Sequence, residues 1–296
     1  AEAMERYLAS KDSILSPSTV RGYDIIRRRH LQGLMQIRLN RLTPSMIQEA
    51  FNIESKPYTD SQGRVHMPTP KSVHNIHGFF SAVLREYHPA LRLNITLPQK
   101  ELQYLEPEQV GKLLRAIKGS EMEVPILLAL WLSLRSSEVT GLTWKYVDFT
   151  HNTITVRQAR VRNKENQWVE KSTKTTCSTR TLHAPEYIME LLKASKGNDG
   201  PEDHVVKIKG NCLLQRLKTI LRKNNLPLIR FHDLRHTNCS LMSALGVPER
   251  YMMARGGWSS PRVMRSVYDH TMRSKQNEVD QKIDRCFYQL MKEEDA

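Results

Sequence analysis

Residues 153–182 read TITVRQARVRNKENQWVEKSTKTTCSTRTL. β-Branched residues crowd three segments of this stretch, TITVRQARV (153–161), QWVEKSTKT (167–175) and STRTL (178–182), with polar breaks between them. Such a pattern suits two or three antiparallel strands. The surroundings have helical spacing instead. Upstream, Glu106-Pro107 open a segment with Val110, Leu113, Leu114 and Ile117 on one face. The apolar run Ile126–Leu132, flanked by Val124 and Leu134, reads as a buried core helix over 124–134 and is too short to cross a bilayer. Downstream, helices resume near Pro185 and continue to the end. The fold class is therefore mainly α with a small antiparallel β-sheet.

The first hundred residues carry no such strand-rich stretch. Ser18-Thr19 cap a helix with Val20, Tyr23 and Ile26 inward, and Thr43-Pro44 open a second. Thr69-Pro70 open a longer one with Val73, Ile76, Phe80, Val83 and Leu84 at helical spacing. A polar, turn-rich insert at 55–68, centred on Asp60-Ser61-Gln62-Gly63, predicts a short hairpin. The stretch LNITLPQKELQY (93–104) has a proline and little periodicity, so the linker falls at 96–104. Two domains are expected: 1–95, helical, and 105–296, mixed α/β and ending in a C-terminal helix.

The 296 residues hold 45 Lys+Arg against 31 Asp+Glu, a formal charge of +14 with a pI near 9.7. Residues 1–100 carry +6 of it and residues 101–296 the remaining +8, so the excess belongs to the whole body. A polyanion is the natural partner of such a surface, and nucleic acid is the first to consider. Four separated cysteines with no CxxC pair indicate reduced thiols and no zinc site. The sequence has no Walker loop, no GxGxxG before a helix, no acidic cluster suited to magnesium and no signal-peptide pattern at its start.

Two H-x-x-R pairs occur, His232…Arg235 and His270…Arg273, so that motif alone selects neither. An ordered set carries more weight: Arg135 in LSLRSSEVTGLTW, Lys174 in STKTTCSTRTL, His232 and Arg235 in FHDLRHTNCSLM, Trp258 in RGGWSS, and Tyr268 in RSVYDH. In these residues and their order the chain resembles the tyrosine recombinases, the phage and conjugative-transposon integrase type in particular. The resemblance covers nearly the whole length. It implies a two-domain architecture of a helical core-binding domain (1–95) followed by a mixed α/β catalytic domain (105–296). Catalytic roles are implied for Arg135, Lys174, His232, Arg235, Trp258 and Tyr268, with Glu138 and His236 in support. No metal and no cofactor is implied. Lys164 and Lys171 share the strand region with Lys174; the Thr173-Lys174 pair ahead of Ser178-Thr179-Arg180-Thr181 matches the family's hairpin lysine. Trp258 stands where many members have His, within Gly256-Gly257-Trp258 in place of a Leu-Gly-His segment.

The chemistry of these side chains fits that implication. Attack on a phosphodiester builds negative charge on its non-bridging oxygens, and two guanidiniums can hold those oxygens through paired hydrogen bonds while staying charged. At 4 Å and an effective dielectric near 20, one such pair has a Coulomb attraction of roughly 4 kcal/mol before desolvation. A phenol is about 0.1% ionised at neutral pH, so Tyr268 needs its proton taken as it attacks. By resemblance His232 assists and Lys174 protonates the leaving 5′-oxygen. An indole N–H, as in Trp258, donates a hydrogen bond but carries no proton in catalysis.

For DNA contact, Arg27, Arg28 and Arg29 cannot all face a core, and with Arg21 they present charge along one helix. Lys71, Asn75 and Arg64 lie on or beside the third long helix and the hairpin, suited to groove reading. Beyond Tyr268, Val279, Ile283, Phe287 and Leu290 recur at roughly four-residue spacing. That helix packs on its own domain or, as the resemblance suggests, on a neighbouring protomer. The expected activity is site-specific DNA recombination through a covalent 3′-phosphotyrosyl intermediate, integrating and excising a mobile element at attachment or transposon-end sites. The expected assembly is a homotetramer on double-stranded DNA in the bacterial cytoplasm, nucleoid-associated and away from membranes. An amino-terminal arm-binding domain ahead of Ala1 is expected in the full protein. Two rivals share the fold: a type IB topoisomerase-like relaxing activity and a non-catalytic DNA-binding regulator.

Overall fold

A computed structural model describes residues 1–60, 62–91, 103–172, 179–268 and 283–284. The chain divides into two compact units, residues 1–100 with 161–169, and residues 101–160 with 170–296. The linker expected at 96–104 lies almost wholly outside the described residues, as do Lys174, Val279, Phe287 and Leu290.

The first unit has four helices, α1 (Glu2–Lys11), α2 (Pro17–Arg29), α3 (Pro44–Glu54) and α4 (Pro70–Tyr87). Three begin with proline behind a hydroxyl cap. Ser16, Thr43 and Thr69 accept the backbone N–H of Thr19, Met46 and Ser72, and a proline in the first turn has no N–H to leave unsatisfied. The cap of α2 is thus Ser16, not the expected Ser18-Thr19. Helix α1 was not expected; it buries only Met4 and Leu8. At the centre, Phe79 is fully buried, stacked on Tyr23 at 4.3 Å between ring centroids and met edge-on by Tyr7 at 6.1 Å. The insert forms the hairpin β1 (Tyr58–Thr59) and β2 (Val65–His66), antiparallel. Its turn closes on Asp60, whose carboxylate accepts the backbone N–H groups of Gln62 and Arg64 and the side chains of Arg64 and His66.

In the second unit, α5 (Pro107–Ile117), α6 (Glu123–Leu130) and α7 (Ser136–Gly141) precede the strands. Helix α6 is apolar on all sides because it is buried on all sides. It stops at Leu130, short of the expected 134, where the chain wraps back on itself and Ser133 takes a left-handed conformation, φ 60°. Strands β3 (Val147–Asp148), β4 (Thr153–Val156) and β7 (Arg180–His183) form an antiparallel sheet in the order β3-β4-β7, with Ile154 opposite Leu182 and Val156 opposite Arg180. The segment TITVRQARV breaks at Arg157, and β5 (Gln158–Arg162) pairs instead with β6 (Trp168–Ser172). Helices α8 (Glu186–Lys196), α9 (Gly210–Lys223), α10 (Asp233–Ala244), α11 (Glu249–Gly256) and α12 (Pro261–Tyr268) complete the unit. Cys239, Met242, Met252, Trp258 and Met264 form a small apolar cluster joining α10, α11 and α12, apart from the main core. Among the described residues no helix is long and apolar enough to cross a membrane.

Phe79→Ala is expected to destabilise the first unit by roughly 3–5 kcal/mol, the usual loss for a buried phenylalanine. Hydrogen exchange of the whole chain in denaturant should place that loss in residues 1–91; a loss below about 1 kcal/mol contradicts the packing described.

Candidate active site

Arg135 stands at the amino-terminal cap of α7, and Glu138 three residues on turns back to it. The Glu138 carboxylate accepts the Arg135 backbone N–H at 2.9 Å and its Nη1 at 2.6 Å. A helix amino terminus favours a carboxylate in its first turn. Glu138 is nevertheless 3% exposed, and a buried carboxylate needs partners. Burial alone would raise its pKa; the hydrogen bond and charge of Arg180, then the charge and backbone of Arg135, more than reverse this and hold it below the ordinary carboxylate range. Arg180, from β7, reaches the two carboxylate oxygens at 2.9 and 3.3 Å.

Arg235 lies in the first turn of α10 and is 1% exposed. Its Nη1 donates to the Ser133 carbonyl at 2.5 Å, and its guanidinium stacks on the Trp258 ring, 4.0 Å from the centroid. Among the described residues its Nη2 is buried with no hydrogen-bond partner. A buried donor left so is costly, and an anion is the acceptor it suits. Desolvation first, then the charge of Arg135, pushes the Arg235 pKa down to about 9, still cationic at neutral pH. Trp258 owes its place to Gly256: a Cβ there would come within 1.8 Å of the indole. Arg135 Nη2 donates to the Gly257 carbonyl at 2.8 Å, so the same arginine secures the turn that presents the tryptophan.

His232 caps α10, its ring perpendicular to that of His236 at 4.8 Å between centroids. His232 is itself exposed. Desolvation by the surrounding protein, then the charges of His236 and Arg235, lower its pKa to about 4, so it is neutral at pH 7 and able to accept a proton. His236 is lowered in the same sense, chiefly by burial. The buried Asp233 fixes this helix start, accepting Arg230 Nη2 at 2.6 Å.

Of the expected site residues, Arg135, Glu138, Arg235 and Trp258 come together through direct contacts or shared supports, with His232 and His236 beside them. Tyr268 is the last residue of α12, which Met264, fully buried, fastens to α10; the side chain of Tyr268 and all of Lys174 lie outside what is described. In the first unit Arg28, Arg29, Lys71 and Asn75 are exposed. Arg27 is 22% exposed and bound to Glu5 at 2.5 Å and Asp24 at 3.1 Å, so it does not stand outward with its neighbours. Arg28 also reaches Asp24, Arg64 is tied to Asp60 at 2.8 Å, and Arg21 donates to Asn166 at 3.3 Å. Sequence reasoning missed Arg180 and the carbonyl of Ser133. The signal for the first was available: β7 alternates inward and outward, and Arg180 occupies an inward position.

The model of the phage integrase family matches residues 103–275. The chain is 25% identical over 211 residues to a tyrosine recombinase XerC-like protein of Caldanaerobacter subterraneus subsp. tengcongensis, covering 62% of this chain and 54% of that one. Tyrosine recombinase XerA of Saccharolobus solfataricus is 32% identical over 149 residues, 50% of this chain and 46% of its own. The chain thus spans about half the length of the curated relatives it matches. Among solved structures, the Tn1549 transposon integrase in complex with transposon right-end DNA superposes with a TM-score of 0.74 at 18% identity, covering 96% of this chain and 98% of that one. A lambda integrase tetramer bound to a Holliday junction gives 0.60 at 15% identity, covering 90% and 76%. These two likenesses are of fold: the two-domain architecture of the tyrosine recombinases.

The lowered pKa of His232 has a sign that can be checked. Between the ordinary value near 6.5 and about 4, the unfolded chain takes up a proton that the folded chain refuses. The contribution of His232 to stability is therefore complete above that window and lost as pH falls through it. An NMR titration of the ring should show a midpoint well below 6, and one at or above 6.5 contradicts the environment described.

Proposed function

The chain belongs to the phage integrase family, and from that premise we propose that it is a site-specific DNA recombinase that cleaves and rejoins strands through a phosphotyrosyl intermediate. The observation that carries the proposal is the pairing of Arg135 and Arg235 on one buried frame, the second with a donor left for an anion. Arg135 and Arg235 hold the non-bridging oxygens of the scissile phosphate and take up the charge that builds there. Tyr268 Oη attacks phosphorus, neutral His232 helps to remove its proton, and Trp258 supports the phosphate while stacked on Arg235. The bond to the 5′-oxygen breaks as a 3′-phosphotyrosyl bond forms, and Lys174 supplies the proton that makes the 5′-hydroxyl. A 5′-hydroxyl of the partner strand reverses the step, so one phosphoester is exchanged for another with no net input of energy.

Exchange between two duplexes calls for four protomers. A homotetramer on DNA is the proposed assembly, with the C-terminal segment as the candidate link between neighbours; the lambda integrase tetramer on a Holliday junction supports that reading by likeness of fold. The substrate proposed is the attachment or transposon-end DNA of a mobile element, in keeping with the +14 charge and with the integrases among the similar structures. The first unit is proposed as the core-binding domain, with Arg28, Arg29, Lys71 and Asn75 as its exposed contacts and Arg21, Arg27 and Arg64 as contacts only on exchanging their present partners. A bacterial, nucleoid-associated location follows from that substrate.

The test is incubation with nicked candidate attachment-site DNA in EDTA, then a denaturing gel. A covalent protein–DNA band is expected from the wild-type chain. Tyr268→Phe should abolish the band while leaving DNA affinity within about threefold, and Arg135→Lys should reduce it by about 100-fold or more, since an ammonium cannot reproduce the two-pronged contact. A band retained by Tyr268→Phe overturns the mechanism. Relaxation of supercoils without strand exchange between two half-sites favours the topoisomerase reading, and DNA binding with no band favours the regulator.

A further inference from the structure

Arg180 follows Lys174 by six residues and begins β7. Its side chain is 6% exposed and, among the described residues, engages separate parts of the chain at Glu138, Ser133 and Arg255. Nη2 and Nη1 reach the Glu138 carboxylate at 2.9 and 3.3 Å, Nη2 also approaches the Ser133 carbonyl at 3.4 Å, and Nε donates to the Arg255 carbonyl at 2.8 Å. Each of these acceptors supports the site from below. Glu138 holds Arg135. The Ser133 carbonyl holds Arg235. Arg255 leads directly into Gly256-Gly257-Trp258, whose Gly257 carbonyl accepts Arg135 and whose indole stacks on Arg235.

A structural ion pair would need Glu138 alone. Arg180 instead touches a support of Arg135, a support of Arg235 and the residue that leads into the turn carrying Trp258. We infer that Arg180 is a positioning residue, which sets the spacing of Arg135 and Arg235 through Glu138, Ser133 and the Arg255 carbonyl. This rests on the reading of Arg135 and Arg235 as phosphate ligands. Only a guanidinium has the planar set of donors to reach three acceptors in different directions; an ammonium of similar length keeps the charge but not the fork. With Arg180 gone, Glu138 is left buried with one cation, and Arg135 becomes free to rotate with it.

The experiment uses the full chain as wild type, Arg180→Lys, Arg180→Met, Glu138→Gln and the Arg180→Met/Glu138→Gln double variant. Three quantities are read: the single-turnover rate of covalent adduct on half-site DNA, the DNA dissociation constant, and the rise in melting temperature caused by orthovanadate, a phosphate-like anion. Arg180→Met should slow adduct formation by about 100-fold, the usual result of misplacing a reacting group by an ångström. DNA affinity should stay within about threefold, since the Arg180 side chain is only 6% exposed. Arg180→Lys guards against simple loss of fold: it should melt within a few degrees of wild type, cleave about tenfold slower and show a smaller vanadate shift. In the double variant the two losses should not multiply, because both act through the same contact.

Arg180→Lys or Arg180→Met cleaving within about threefold of wild type overturns the inference, as do losses that multiply in the double variant. A fall in adduct that merely tracks the folded fraction, with the vanadate shift intact, also overturns it. If the wild-type chain forms no adduct, the recombinase reading fails by itself. Positioning is then decided on vanadate alone: equal shifts in wild type and Arg180→Lys sink it, and a shift lost in the variant upholds it.

Discussion

A single buried carboxylate, Glu138, makes the rest of the second unit's site possible. Three guanidiniums, those of Arg135, Arg180 and Arg235, converge on a region with little access to water, where like charges repel strongly. Glu138 offsets two of them directly, and the Ser133 carbonyl offsets the third with its dipole. The cluster still has a net positive charge, and the pKa of Arg235 is lowered first by its burial and then by the neighbouring charge of Arg135. Such a frame is relaxed by an added anion. The scissile phosphate proposed for this site would supply such an anion, and the charge it gains during attack would strengthen the interaction.

The fold arranges this imbalance with few elements. Helix α7 brings Arg135 and Glu138 as cap and third residue of one turn, α10 brings Arg235 one turn from His232, and the α11–α12 connection brings Trp258. The small methionine-rich cluster that joins α10, α11 and α12 is separate from the main core. Among the described side chains of the helix that ends in Tyr268, Met264 packs into this cluster and Arg265 pairs with Glu249 of α11.

What could be read in the sequence was whatever local chemistry decides. Thr43-Pro44 and Thr69-Pro70 start helices because a hydroxyl cap and a proline act on their own first turn. The β-branched stretch at 153–182 forms strands, and the ordered set of Arg135, His232, Arg235 and Trp258 meets in one place. Tertiary partners decided the rest. Helix α6 ends early because the Ser133 carbonyl is drawn to two guanidiniums distant in sequence, which no local signal announces. Arg27 is held by Asp24 and by Glu5, the latter a residue of a short helix that buries only two side chains and so has little amphipathic signature. Arg180 occupies an inward position of β7, but its partner Glu138 lies 42 residues away in sequence, which the strand pattern does not announce.

Arg135 and Arg235 are proposed each to hold a particular non-bridging oxygen of the scissile phosphate, and single-turnover cleavage of half-site DNA with one or the other of those oxygens replaced by sulfur tests that assignment. The two phosphorothioate isomers should slow the wild-type chain to different extents, and Arg235→Ala should lose its sensitivity to one isomer while keeping it for the other. Equal sensitivity to both isomers, unchanged when either arginine is removed, would contradict it.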